Sequence, residues 1–165
     1  MSHSVTITRT TTSTTNTSYI VLNTGYLKSF SGLLKLAELL IGAAMVGIFA
    51  YYQKNGACFY NMEGIVFAFL MSVTFMIGTF CLLLSCLTSL STGGIISKTI
   101  YELIYHSVAA ILLLCCSLQV VITLSDTRRG YAQRDAYFAA GIMGLVNAVL
   151  YFISAFLAHR SYRGI

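Results

Sequence analysis

Charged residues divide this sequence into long uncharged stretches. Three stretches contain no Asp, Glu, Lys or Arg: residues 64–97, 103–125 and 136–159, with lengths of 34, 23 and 24 residues. An α-helix rises about 1.5 Å per residue, so roughly 20 apolar residues cross the hydrocarbon core of a bilayer. Each stretch is therefore long enough to span a membrane as a helix.

A fourth candidate span lies near residues 32–53. Lys35 and Glu38 occupy its opening turns, but the rest, LLIGAAMVGIFAYY, is apolar, and a lysine stem can carry its charge back to the interface. The alternation typical of barrel strands is missing from all four stretches. The sequence predicts an all-α integral membrane four-helix bundle over residues 31–160, with short loops and spans near 32–53, 64–88, 100–124 and 137–158.

Composition supports a membrane protein and excludes several other classes. Hydrophobic residues make up 57% of the chain and charged residues 9%, against about 25% charged residues in soluble domains. This composition excludes an ordinary soluble enzyme and a disordered chain. The net charge of +5 is spread along the chain and forms no clustered basic face, so it predicts contact with acidic lipid headgroups and not with nucleic acid.

The two tails lie on one side of the membrane, because the number of spans is even. Residues 1–30, rich in Ser and Thr, are predicted to be a disordered tail, and residues 161–165 a short C-terminal tail. The basic residues on the side of the tails are Arg9, Lys28, Lys35, Lys98, Arg160 and Arg163; those on the other side are Lys54, Arg128, Arg129 and Arg134. Six against four predicts cytoplasmic termini.

Four ionisable residues near the predicted cytoplasmic ends of two helices form the candidate site. Lys35 and Glu38 are spaced i, i+3 on the first helix, and Glu102 and His106 are spaced i, i+4 on the third, so each pair shares a face. Lys35 and Glu102 lie at similar depths in the membrane, and Glu38 and His106 share a depth about one turn further in. These depths predict that Lys35 pairs with Glu102 and Glu38 with His106. Structural fixation of helix register is one role. A proton or ion relay through His106 is the other.

Small residues recur at helix-packing spacing in two spans. The fourth span has Ala140, Gly144 and Ala148 at intervals of four, and the first span has Ala43 and Gly47. Such stripes allow helix backbones to approach closely. They predict packing inside the bundle for at least one stripe, and contact between molecules, including homo-oligomers, is the alternative use.

Motifs for catalysis, metal binding and cofactor binding are absent from the sequence, so no enzyme activity and no cofactor are expected. The five cysteines show neither metal-ligand spacing nor a C-x-x-C pair. Cys86, near a cytoplasmic helix end, is a candidate for palmitoylation. Tyr19 and Leu22 fit the Tyr-x-x-apolar pattern of endocytic sorting signals, and the Thr-rich tail offers sites for phosphorylation.

Three segments resemble the MARVEL family of four-span membrane proteins. SGLLKLAELLIG (31–42) is similar to the opening of that family's first helix, and YELIYHSVAAILLLCCS (101–117) to its third helix. LYFISAFLAHRSYR (150–163) is similar to the closing helix and its basic end. The resemblance covers about residues 30–162 and is strongest to the chemokine-like-factor-type MARVEL proteins and plasmolipin.

The resemblance implies an M-shaped four-helix bundle with both termini in the cytoplasm. It also implies a non-enzymatic role in organising membrane domains, in vesicle trafficking, or in escorting other membrane proteins at the plasma membrane and endosomal vesicles. The intramembrane polar positions of the family map to Glu38, Glu102 and His106. The alternative function is a small channel or proton-coupled transporter that uses Glu102 and His106.

Overall fold

The computed structural model describes residues 24–55, 63–88, 100–126 and 132–164. A short 3₁₀ helix, Thr24–Lys28, precedes four α-helices: α1 (Phe30–Asn55), α2 (Glu63–Thr88), α3 (Ile100–Asp126) and α4 (Ala132–Arg163). The described residues contain no β-strand. All four α-helices are long and apolar enough to cross a membrane, which confirms the predicted fold class.

Individual residues determine where α1 begins and where α4 ends. Ser29 caps α1, because its Oγ accepts the backbone N–H of Gly32 at 3.1 Å. The predicted tail extended to residue 30, but Thr24–Lys28 is helical and is followed at once by this cap. At the other end α4 continues to Arg163 and stops at Gly164, whose φ of 72° ends a helix without strain. The helix is therefore longer at both ends than the predicted 137–158.

The helices form a ring in which each one packs against two others. α1 and α3 both contact α2 and α4, and the contact between α3 and α4 is the most extensive. The early residue Tyr105 of α3 contacts the late residues Thr79 of α2 and Tyr151 of α4. Neighbouring helices are therefore antiparallel, as short connections require.

The bundle interior is apolar through its middle and aromatic at the end away from the polar residues. Met45, Phe49, Leu113 and Val120 are almost completely buried. The ring of Phe49 stacks on Tyr137 with centroids 5.8 Å apart. Large apolar side chains project outward from all four helices, among them Leu40, Ile77, Ile111 and Phe152. An apolar exterior matches a lipid environment.

A buried arginine closes the end of α3. Arg134, in the first turn of α4, donates from Nε to the carbonyl oxygen of Leu124 at 2.9 Å and from Nη1 to Asp135 at 3.1 Å. The last carbonyls of a helix have no hydrogen-bond partner within that helix. A cation beside them donates to one of these carbonyls and also interacts favourably with the helix dipole. The contact links α3 to α4 directly across their short connection.

The two small-residue stripes lie in different environments. Ala140, Gly144 and Ala148 are buried, and Gly144 lies against Ser117 of α3. Ala43 and Gly47 are exposed, and a Cβ on Gly47 would meet nothing within 4 Å. Hence the stripe on α4 packs inside the molecule, whereas the stripe on α1 does not, because it faces outward from the bundle.

A matched pair of substitutions tests this difference. A Cβ at Gly144 would lie 2.9 Å from Met45 Cε and 3.0 Å from Ser117 Cβ, so we expect Gly144→Ala to lower the free energy of unfolding by about 1–3 kcal/mol through overpacking. Gly47→Ala adds a methyl group in open space and should leave stability unchanged or slightly higher. Unfolding in mixed detergent micelles measures both; equal losses would contradict the assigned faces.

Candidate functional site

The candidate site is a cluster of polar side chains buried at the end of the bundle where α1 and α3 begin and α2 and α4 end. Lys35, Glu38, Glu102 and His106 are all at most 3% exposed. The pairs predicted from the sequence lie together: Lys35 with Glu102, and Glu38 with His106. Both pairs cross the bundle between α1 and α3, which otherwise make few contacts with each other.

Lys35 is held by three acceptors, which matches the three hydrogens of its ammonium group. It forms a buried ion pair with Glu102 Oε1. It also donates to Tyr26 Oη at 2.9 Å and to Ser31 Oγ at 3.1 Å. Burial raises the pKa of the Tyr26 phenol above its ordinary value, so this hydroxyl stays protonated and serves Lys35 as a neutral acceptor.

Glu38 connects α1 to both α3 and α4. Its Oε1 accepts a hydrogen bond from Ser154 Oγ at 2.5 Å, and its Oε2 lies 3.7 Å from His106 Nε2. Asn147 Nδ2 reaches the backbone carbonyl of Glu38 at 3.4 Å. One carboxylate therefore holds three helices in register.

The Glu38–His106 pair requires one proton between its facing atoms. His106 Nδ1 lies 2.8 Å from the carbonyl oxygen of Glu102; a carbonyl only accepts, so Nδ1 carries a hydrogen. Within the described part of the chain, neither His106 Nε2 nor Glu38 Oε2 has a hydrogen-bond partner. Two facing lone pairs repel in a low dielectric. One proton, on either atom, turns this repulsion into an attraction.

A group of hydroxyl-bearing side chains packs next to His106. Thr79 Oγ1 lies 2.6 Å from Tyr151 Oη and 3.0 Å from Tyr105 Oη. Tyr105 Oη also donates to the carbonyl oxygen of Phe75 at 3.0 Å. The His106 ring lies beside the rings of Tyr105 and Tyr151, at centroid distances of 5.2 and 5.9 Å. Through Thr79, α2 also joins the cluster, so every helix contributes to it.

Sequence reasoning identified the charged residues but missed their neutral partners. Tyr26, Ser31, Thr79, Tyr151 and Ser154 carry no charge, and similar residues occur throughout the chain. Helical spacing offered one signal, because Tyr151 and Ser154 lie three residues apart and share a face with the small-residue stripe of α4. Position on the inward face, rather than residue type, distinguishes these partners.

The remaining predicted site residues are not members of the polar cluster. Cys86 is completely buried, close to the Tyr26 hydroxyl, and its palmitoylation stays a prediction. Its position in the sequence predicted only that it lies near a helix end, and not which face of the helix it occupies. Tyr19 and Leu22 lie outside the described residues. In the described ranges, no group of three His, Cys, Asp or Glu side chains could hold a metal ion.

The ion pair between Lys35 and Glu102 should be testable by a double-mutant cycle. Lys35→Met or Glu102→Gln alone leaves a buried charge without its partner and should cost about 3 kcal/mol of unfolding free energy or more. The double variant removes both charges and should recover most of that loss. Additive losses, measured in mixed micelles, would mean that the two side chains do not interact.

The shared proton makes a second prediction. In Glu38→Gln the amide nitrogen can donate to His106 Nε2 while the amide oxygen still accepts from Ser154, as a protonated glutamate does. We expect Glu38→Gln to lie within about 1 kcal/mol of the native stability and Glu38→Ala to lose roughly 2 kcal/mol or more. If Glu38→Ala folds and accumulates in membranes at the native level, the cluster is not a structural element.

Comparison with known proteins identifies the family. No curated protein and no solved structure shows a significant match to the chain. The family model of MARVEL, described as a membrane-associating domain, matches residues 26–157. The match extends from Tyr26 of the polar cluster through all four helices and ends within α4. This multi-pass membrane protein belongs to the MARVEL family.

Proposed function

We propose that this protein is a non-enzymatic organiser of membranes, which groups lipids and other membrane proteins into domains or escorts them through vesicle traffic. One observation carries the proposal: buried polar side chains are directed at one another, while the exposed side chains of the four helices are largely apolar. A protein with this surface recognises neighbours laterally, through helix faces and lipid.

The polar cluster supports a structural role. Several of its donors and acceptors already serve other residues of the chain, as in the contacts of Lys35 and of Thr79, whereas Glu38 Oε2, Glu102 Oε2 and His106 Nε2 have no hydrogen-bond partner among the described residues. Polar groups inside a membrane protein that satisfy one another fix register. A catalytic group must instead be free to meet substrate.

The location that we propose is the plasma membrane and endosomal vesicles, with both termini in the cytoplasm. The distribution of basic residues supports this orientation, and the resemblance of 31–42, 101–117 and 150–163 supports membership of the subgroup of chemokine-like-factor-type MARVEL proteins and plasmolipin. The Thr-rich tail and the Tyr19–Leu22 pattern would then face cytosolic kinases and sorting adaptors.

Proximity labelling of the full chain tests the proposal. A biotin ligase on the N-terminus is compared among the native chain and three double variants, each altering one outward face: Leu70→Ala/Ile77→Ala, Ile111→Ala/Phe152→Ala and Leu40→Ala/Gly47→Leu. All six positions are exposed, so folding should persist. We expect at least one variant to lose a set of membrane neighbours that the others keep; identical neighbours in all four would contradict lateral recognition.

A small proton-coupled transporter is the second candidate function. The facing atoms of Glu38 and His106, which require one proton between them, favour it. Against it, Met45, Phe49 and Leu113 fill the interior beyond His106 with apolar side chains, and a relay must continue across the membrane.

Liposomes separate the two functions. The purified chain is reconstituted with a pH-sensitive dye inside the vesicles, and His106→Ala is reconstituted at the same density. As a membrane organiser, the native chain should show no proton flux above protein-free liposomes. Proton flux in the native chain that is lost in His106→Ala would contradict the organiser function and support the transporter function.

A further inference from the structure

The 3₁₀ helix Thr24–Lys28 lies against the end of the bundle, where it contacts α1 and α2. We call it the strap. The side chains of Tyr26 and Leu27 are only partly buried and that of Lys28 is exposed. Each α-helix, by contrast, contains residues that are completely buried. A segment with few buried side chains opens at a lower free-energy cost than the core of a bundle does.

One side chain, Tyr26, fastens the strap to the polar cluster. Its Oη accepts a hydrogen bond from Lys35 Nζ at 2.9 Å and lies 3.4 Å from Ser31 Oγ. The Lys35 ammonium also lies 5.7 Å from the centroid of the Tyr26 ring, within the range of a cation–π contact. The strap is therefore held mainly by directional contacts to one charged group, which small displacements weaken strongly.

The backbone of the strap folds back onto the first turn of α1. The Ser29 hydroxyl donates to the carbonyl oxygen of Tyr26 at 2.6 Å, and the Ser29 backbone N–H donates to the same oxygen at 3.0 Å. A Cβ on Gly32 would overlap this carbonyl oxygen. The missing side chain of Gly32 thus leaves the space that the closed strap occupies.

The strap covers a buried thiol. Cys86, near the end of α2, is completely buried, and its thiol lies within hydrogen-bond reach of the Tyr26 hydroxyl. Tyr26 also borders a cavity of about 230 Å³ at this end of the bundle. Because one side of Tyr26 faces open volume, its ring can leave with the loss of few packing contacts. Its departure removes the cover from Cys86.

We propose that the strap opens and closes as a unit over this end of the bundle, and that the Cys86 thiol is accessible only while the strap is open. A group attached to the Cys86 sulfur then occupies the place of the Tyr26 ring and holds the strap open, because coupling between two sites is reciprocal. The state of a thiol at the end of α2 is thereby linked to the segment that leads into α1. This device goes beyond the proposed function and does not depend on it.

Two rates, measured on the full chain in nanodiscs, test the strap. One is hydrogen exchange of the Ser29 amide, which bonds to the Tyr26 carbonyl. The other is alkylation of Cys86 by N-ethylmaleimide, in which the sulfur adds to one alkene carbon and the thiol proton passes to the other. Tyr26→Phe removes the acceptor of Lys35, and Gly32→Ala displaces the strap backbone. Since one opening event controls both rates, each variant should raise the two by the same factor, about tenfold or more for the loss of a charged hydrogen bond. Faster Ser29 exchange with unchanged Cys86 alkylation would overturn the proposal.

Matched controls separate strap opening from loss of the fold. Gly47→Ala adds the same methyl group to α1 in open space and should change neither rate. Amides near Leu113, in the buried middle of α3, should exchange at the native rate in every variant. Faster exchange there as well would mean that the whole bundle loosens, which contradicts a strap that opens as a unit.

The reciprocal experiment starts from a chain that is already alkylated at Cys86. Its Ser29 amide should exchange about tenfold or more faster than in the unmodified chain, because the adduct competes with the Tyr26 ring for one place. An unchanged Ser29 rate in the alkylated chain would contradict the coupling between thiol and strap.

Discussion

The free-energy cost of burying charge determines how the helices of this bundle pair with one another. A lysine or a glutamate alone in the hydrocarbon core costs about 3 kcal/mol on insertion scales, and α1 carries both, at Lys35 and Glu38. Their partners lie on α3 and α4. Apolar packing alone provides little drive for association in lipid, where tails are as apolar as side chains. The charges therefore supply specificity that the apolar surfaces lack.

Two different chemistries hold the two ends of the bundle. At the end with the chain's N-terminal 3₁₀ helix, ion pairs and hydroxyl groups join all four helices. At the opposite end, the Phe49 ring stacks on Tyr137 and meets Phe69 edge-on, and Arg134 contacts the last turn of α3. Polar contacts depend strongly on direction and ring contacts less so, so register is set mainly at the polar end.

The sequence was sufficient for those features that depend on spacing along one helix. Uncharged runs predicted the four spans to within a few residues, and the i, i+4 relation of Glu102 and His106 placed both on one face. Features that depend on helix rotation were not predictable in the same way. The burial of Cys86 and the outward direction of Ala43 and Gly47 follow from how each helix turns toward its neighbours. The neutral partners of Lys35 were missed because a hydroxyl group carries no periodic signal of its own.

The separation in sequence between the two halves of the polar cluster has a consequence for biosynthesis. Glu102 follows Lys35 by 67 residues, and Ser154 follows Glu38 by 116. At synthesis rates of about 5–20 residues per second, α1 waits on the order of 3–13 s before the first partner emerges. During that interval it carries two charges whose partners lie on α3 and α4, which have not yet been made. A chain that ends before α3 would therefore leave both charges of α1 in the membrane without the partners that α3 and α4 supply.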